Sequence, residues 1–336
     1  MKFRLSTFSR AAAIACLAGG ALGVHAQSST QIYGLMDVFV GSLENSGASR
    51  LSKVDSGGMT TSYIGFKGSE DLGAGLSAQF AIESFLRPDT GEAGRFGGDA
   101  FWARSAFVGL AGDFGTVRFG RNTNPTFVTT LVFNPFGDSF GFSPTIRNHF
   151  GGGTGKVAGD TGWSNSVTYL SPKLGGLSAS LLYSMKEAAQ GANFGGSLTY
   201  FAGPLGLAVA AQQVKVPFAD GKETTYQFNG SYDFGVVKAF GQYTQVKEKG
   251  TGSAVPKDKL YQLGATVPLG AGSVLASWGH AKSDATAGDD IKRDTVSLGY
   301  DHFLSKRTDL YAVYMYDKIK REDAGNSFAV GIRHRY

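Results

Sequence analysis

The chain has 336 residues, with 32 Lys and Arg against 27 Asp and Glu, a surplus too slight to serve as a nucleic-acid footprint. Glycine at 49 residues and aromatics at 12% stand beside only 9 prolines and a mean hydropathy near zero. That balance excludes both a disordered chain and a bundle of membrane helices.

The first element is a leader. Lys2, Arg4 and Arg10 precede an apolar stretch over residues 11–22, and Val24-His25-Ala26 supplies the small-residue cleavage site. Residues 1–26 are therefore expected to be a signal peptide, with residues 27–336 as one domain starting at Gln27. An intact mass of the exported protein beginning elsewhere than Gln27 would contradict this. Removal of the leader takes away Cys16, the single cysteine, and leaves 29 basic against 27 acidic side chains. The exported chain is then held together without disulfides.

Beyond the leader no run of 18 apolar residues exists, so a membrane-spanning form of this chain must be a closed barrel, the only alternative that satisfies every backbone group in lipid. Period-two alternation predicts strands at 31–40, 59–67, 76–85, 101–110, 115–121, 163–170, 177–184, 194–201, 205–214, 224–233, 236–246, 259–268, 273–282, 293–302, 308–318 and 327–336. The total is sixteen, an even number. The pattern is clear where Tyr226, Phe228, Gly230 and Tyr232 oppose Gln227, Asn229, Ser231 and Asp233. Leu177, Ala179, Leu181 and Tyr183 likewise oppose Ser178, Ser180 and Ser184, with Leu182 as an exception. Tight turns are expected at residues 71–73, 113–115, 173–175, 202–204, 234–235, 269–270 and 305–307, alternating with longer polar connections. Short turns on one rim and long loops on the other is the outer-membrane arrangement.

A soluble β-sandwich also alternates. Against it stand strands near ten residues, longer than the usual sandwich strand of about 5–6. Tyr and Phe also cluster near strand ends, as an interfacial girdle requires, and the chain ends on an aromatic residue. The segment from Asn122 to Gly162 shows little alternation and is too long for an ordinary connection, which asks for a function. Pro125, Pro135 and Pro144 discourage strand extension there, and Phe133, Phe136, Phe140 and Phe142 would be costly in open water.

Taken in order, Ile32-Tyr33-Gly34 with Asp37, Ile64-Gly65-Phe66-Lys67-Gly68, Glu70-Asp71-Leu72-Gly73, Phe80 with Glu83, Arg104-Ser105-Ala106-Phe107-Val108-Gly109-Leu110, Phe119-Gly120-Arg121, Asn165-Ser166-Val167, Leu304-Ser305-Lys306-Arg307-Thr308 and Gly331-Ile332-Arg333-His334-Arg335-Tyr336 carry a resemblance. The whole exported chain resembles the general porins of Gram-negative bacteria, in the branch of Neisseria and Burkholderia-like β-proteobacteria. The resemblance implies an all-β, 16-stranded antiparallel transmembrane barrel in the cell outer membrane, assembled as a homotrimer, with the long third loop folded into the pore. It also implies that Phe328, Val330, Ile332, His334 and Tyr336 form the C-terminal signal read by the barrel-insertion machinery. Tyr336 departs from the more usual terminal Phe.

Within Asn134-Pro135-Phe136-Gly137-Asp138, similar to the family's loop tip, Asp138 is offered to the lumen. Arg or Lys at mid-depth on the lipid face costs about 2–4 kcal/mol, which predicts that Lys67, Arg104, Arg118, Lys238 and Arg333 point inward, with the acids Asp37 and Glu83. Two departures put the family's customary anion preference in doubt: Tyr63 and Gly162 stand where arginines are frequent.

The expected function is passive diffusion of ions and small hydrophilic solutes, the other contacts being outer-membrane lipid and lipopolysaccharide. The alternatives are a channel with a binding site for one solute class and a barrel-based adhesin. No enzyme, cofactor, metal or nucleic-acid role is expected. Gly151 to Lys156 lacks the first glycine and the Ser or Thr of a phosphate loop, the five histidines have no metal spacing, and no nucleophile elbow appears. Asp289-Asp290 reads as a solvated acidic pair.

Overall fold

Strict alternation commits a segment to extended backbone whose two faces meet different media, and neighbouring segments must pair until no edge remains. The computed structural model describes residues 29–185, 192–216, 221–249, 257–284 and 290–336, so the expected leader and its cleavage position lie outside the described residues. In chain order the strands are β1 (Ser29–Leu43), β2 (Leu51–Ser56), β3 (Tyr63–Gly73), β4 (Leu76–Arg87), β5 (Glu92–Ala93), β6 (Ser105–Gly112), β7 (Gly115–Thr123), β8 (Gly162–Leu170), β9 (Leu177–Ser184), β10 (Asn193–Ala202), β11 (Leu205–Lys215), β12 (Lys222–Asp233), β13 (Lys238–Lys249), β14 (Lys257–Leu269), β15 (Gly272–Ser283), β16 (Ile291–Phe303), β17 (Thr308–Ile319) and β18 (Gly325–Arg335). Two helices, α1 (Pro125–Val132) and α2 (Pro144–His149), lie between β7 and β8.

Successive wall strands pair antiparallel, and β18 returns to β1 with Asp37 opposite Arg333. The other half of β1 pairs with β3, Ile32 opposite Phe66, which closes the wall. The wall has sixteen strands. β2 and β5 are short additions in the first two long loops, β2 lying beside the upper part of β1. Neither was anticipated, because neither is long enough to show a period. The expected turn at 71–73 is corrected: Asp71, Leu72 and Gly73 belong to β3, and the chain reverses at Ala74-Gly75, both in the left-handed region. Residues 59–62, expected to open the second strand, lie outside it.

The outer face is apolar and open. Phe228 is 55% exposed, Leu263 61%, Leu298 52% and Val330 50%, while their strand neighbours Gln227, Gln262, Ser297 and Ala329 are buried. A sandwich buries its apolar face; this wall turns it outward, as lipid requires. Tyr336 lies against Gly34, where any Cβ would meet the tyrosine hydroxyl at 2.5 Å, so the last residue seats on the Ile32-Tyr33-Gly34 motif at the barrel seam.

The segment between β7 and β8 bonds to inward-facing side chains. Asn124 caps α1 by accepting from Thr126 N and donates to Gln212 Oε1 at 2.6 Å. Thr129 donates to Gln227 Oε1, Gln227 Nε2 donates to Thr130 Oγ1, and Gln242 Nε2 donates to the Thr130 carbonyl. Further along, Ser297 donates to the Phe142 carbonyl at 2.6 Å, and Glu223 accepts from Ala158 N. Contacts this close need bare backbone. A Cβ at Gly264 or Gly279 would come within 2.6 Å of the Pro135 or Pro144 ring, so these inward glycines are the seats on which the prolines rest.

Phe136 and Phe142 from this segment join Phe39, Met59, Leu275, Tyr311, Val313, Met315 and Ala329 in one buried cluster. Those inward apolar side chains break the expected polar lumen for a physical reason: the third loop covers them. Leu182, the exception in its strand, has the same explanation, packing with Trp163 and Val214 beneath Ala158.

Candidate functional site

Charged side chains gather on the inner face of β3, β4 and β7, beside β1. Alternation turns Tyr33, Lys67, Glu83 and Arg118 to one face, and Arg104 lies just before β6 rather than within a strand, its amide bonding to the Glu83 carbonyl. Arg104 Nη1 bridges to Glu83 Oε1 at 2.5 Å, and Tyr33 donates to the same oxygen at 2.7 Å. Three cations rest on aromatic rings: Arg104 on Tyr63 at 3.8 Å, Arg118 on Phe107 at 4.3 Å and Lys67 on Tyr33 at 4.5 Å. Together they line a cavity of about 450 Å³ with Gln31, Gln79 and Thr123. Among the described residues neither Lys67 nor Arg118 forms an ion pair; Glu83 bridges Arg104 and its charge also reaches Arg118, so three cations face one acid and the cavity keeps a net positive charge.

Arg333 forms a second cluster. It donates to Asp309 at 2.8 Å, to Asp301 at 2.8 Å and to Thr60 Oγ1 at 2.9 Å, and Arg335 completes Asp309. Asp138, at the third loop's tip, shares a cavity of about 270 Å³ with Thr60, Asp301 and Arg333. Half-buried there, its carboxyl is pushed above the usual aspartate range by desolvation, against the pull of Arg104 and Arg333 and a bond with Thr60. Asp138 and Arg104 feel each other's charge without forming an ion pair.

Two sequence expectations change. Asp37 does not line the pore: it is fully buried, accepting from Met59 N at 2.8 Å, Thr60 N at 2.7 Å and the Tyr311 hydroxyl at 2.6 Å. A carboxylate saturated in this way folds residues 57–62 inward, where Gly58 accepts from Ser139 of the third loop at 2.6 Å. The first loop thus backs the tip that carries Asp138. Lys238 points inward but stands at the short-turn end of β13 over Phe240, away from these clusters.

Sequence reasoning missed Thr60, Asp301 and Asp309. The lipid-face cost used for Arg333 applies equally to the two aspartates, so a signal for them was available; Thr60 had none. It also missed the clamp that fixes the third loop's return. Arg95 donates to Asp160 at 2.6 and 2.9 Å and to Asp99, and Arg121 holds the other side of Asp160. Although burial pulls the Asp160 carboxyl upward, its bonds to Arg95 hold it below the usual range. Of the acidic pair, Asp289 lies outside the described residues, and Asp290 bonds to Lys282 at 2.7 Å.

A model of the Gram-negative porin family matches residues 11–322. The chain belongs to the Gram-negative porin family. Similar proteins include outer membrane porin protein 32 of Delftia acidovorans, 33% identical with 93% of this chain and 89% of the relative covered, and an outer membrane porin of Bordetella pertussis, 30% identical with 96% and 98% covered. The major outer membrane protein P.IB of Neisseria meningitidis is 27% identical over 94% and 97%. Among solved structures, an anion-selective porin from Comamonas acidovorans is 28% identical, with TM-score 0.79 over 92% of this chain and all of that one. A trimer form of OmpT, an outer membrane protein of Vibrio cholerae, shares the fold at TM-score 0.73 and 18% identity. This porin is an outer-membrane channel, as its relatives are.

Proposed function

We propose that this porin conducts small hydrophilic solutes with a preference for anions, through a constriction framed by Asp138 on one side and by Arg104, Lys67 and Arg118 on the other. The observation that carries the reading is the surplus of Lys67, Arg104 and Arg118 over Glu83 in the wall cavity, because fixed charge at a low-dielectric narrowing raises the local concentration of the opposite ion. Tyr63 and Gly162 stand where the family often has arginines, and Lys67, Arg104 and Arg118 keep the wall cavity positive without them. The similarity to an anion-selective porin supports the same sign. In liposome-swelling assays an anionic sugar acid should enter faster than a neutral sugar of the same size, and an amino sugar slower. Equal rates for all three would remove the preference.

The working unit we propose is a homotrimer of mature chains beginning at Gln27, with β1 and β18 at the interface. Ile32, Met36 and Val38 lie on the outward face of β1, where a neighbour's wall can cover them. Native electrophoresis before and after heating should show one large species collapsing to the monomer. A monomer at every concentration in mild detergent would contradict the trimer. Phe328, Val330, Ile332 and His334 share the outward face of β18, the surface on which an insertion signal must be read.

A further inference from the structure

Beneath the third-loop tip the charge has the opposite sign to that of the basic wall cavity. Alternation turns Ser273 on β15 and Asp301 on β16 to the inner face, directly opposite one another, and both line the cavity of about 270 Å³ that Asp138 shares. Asp301 is only 6% exposed. Its Oδ2 accepts from Arg333 Nη2, while its Oδ1 has no hydrogen-bond partner among the described residues. A buried carboxylate oxygen that no protein group donates to is costly, and it asks for a donor from outside.

The nearby cations are already shared among more acids than they can offset. Arg333 donates to Asp309, Asp301 and Thr60, and Arg335 donates to Asp309. Asp309 lies beside Asp301 with like charge, and the charges of Asp138 and of the buried Asp37 reach Arg333 as well. Four acids thus draw on Arg333 and Arg335, with Arg104 pulling on Asp138 from the wall. A positively charged donor would relieve the repulsion and supply the missing bond together. The opposite flank of the cavity is apolar: Met59, Phe136 and Leu275 line it, none more than 6% exposed. Such a flank takes a hydrocarbon stem rather than the water shell of a metal ion, and among the described residues no group of three His, Cys, Asp or Glu is placed to hold a metal.

We infer that the cavity under the third-loop tip is a binding site for the primary ammonium group of a small solute, which donates to Asp301 Oδ1 and lies between Asp301 and Asp138, its carbon stem against Met59 and Leu275. The charge draws the ammonium in, and the bare Asp301 oxygen requires an N–H from it. That second requirement separates the site from simple attraction of cations. The inference rests on the proposed passage for access to the cavity, and not on its preference for anions.

The test uses the exported porin in mild detergent, with propylammonium as the probe and binding read by isothermal titration calorimetry. Propylammonium should saturate one site per chain. Tetramethylammonium, which carries the same charge without an N–H, should bind roughly tenfold more weakly. Asp301→Asn, which removes the charge and keeps the size, should weaken propylammonium by a similar factor. Ser273→Leu fills the cavity from the strand opposite, leaves every charge in place and should have the same effect; far-UV circular dichroism reports folding of both variants. Parent-like binding by either folded variant would overturn the inference. Equal binding of the two cations would do so as well, reducing the site to a bare acidic patch, and no saturable binding would leave the cavity to water. Binding in detergent does not depend on conduction, so a protein that binds propylammonium but passes no current would contradict the proposed passage and not this site.

Discussion

Replacing Asp138 with asparagine should move the reversal potential in a salt gradient toward greater anion preference, and replacing Arg104 with glutamine should move it the other way. Each substitution removes one sign of charge from the proposed constriction while leaving the backbone supports intact. Asp138 is held by its loop rather than by an ion pair, and Arg104's amide bond to the Glu83 carbonyl is untouched. The Arg104 change carries a second effect, because Glu83 loses the cation that bridges it and is left as a weakly offset acid in the wall. Its shift should therefore be the larger of the two. The pH dependence has a definite sign. Desolvation raises the Asp138 pKa, so acidification neutralises this carboxyl earlier than a free aspartate, and anion preference should rise as pH falls. The Asp138→Asn variant should lack that component. Unchanged reversal potentials in both variants would place neither residue at the narrowing.

The largest loss of stability is expected from Arg333→Met. Its guanidinium bonds Asp301 and Asp309 while only 10% exposed at the side chain, and both carboxylates are less than a tenth exposed. Among the described residues, removing the cation leaves Asp301 without an ion pair, beside the like charge of Asp309, and Asp309 with Arg335 alone. Breaking a buried ion cluster on one side costs about 3–5 kcal/mol, because the remaining charge stays desolvated. Heat modifiability on gels should shift to lower temperature, and urea unfolding should begin earlier. Adding Asp301→Asn and Asp309→Asn to Arg333→Met should recover most of the loss. A single variant as stable as the parent would mean that lumen water already solvates the cluster.

All sixteen wall strands were legible because lipid and water impose opposite side-chain chemistry on alternate residues over ten or more positions. Strand ends were less so: Asp71, Leu72 and Gly73 look like a turn by composition, yet β3 runs through them because pairing with β4 continues. The lumen itself was the least legible part of the sequence. Alternation separates in from out and does not tell a water-facing side chain from one covered by the third loop, so Phe39, Leu275 and Val313 read as anomalies until Phe136 and Phe142 are placed against them. Asp37 failed for the same reason. An inward acid can line the pore or tie down a loop, and only the amides of Met59 and Thr60 decide which.

An open, charged, water-filled passage narrowed by loops must carry ionic current. Single-channel recording of the wild-type protein in planar bilayers tests it most directly. Steady open steps are expected, with a conductance that rises with salt concentration and a zero-current potential in a salt gradient that carries the anion's sign. Absence of discrete conductance from folded, membrane-inserted protein would contradict it.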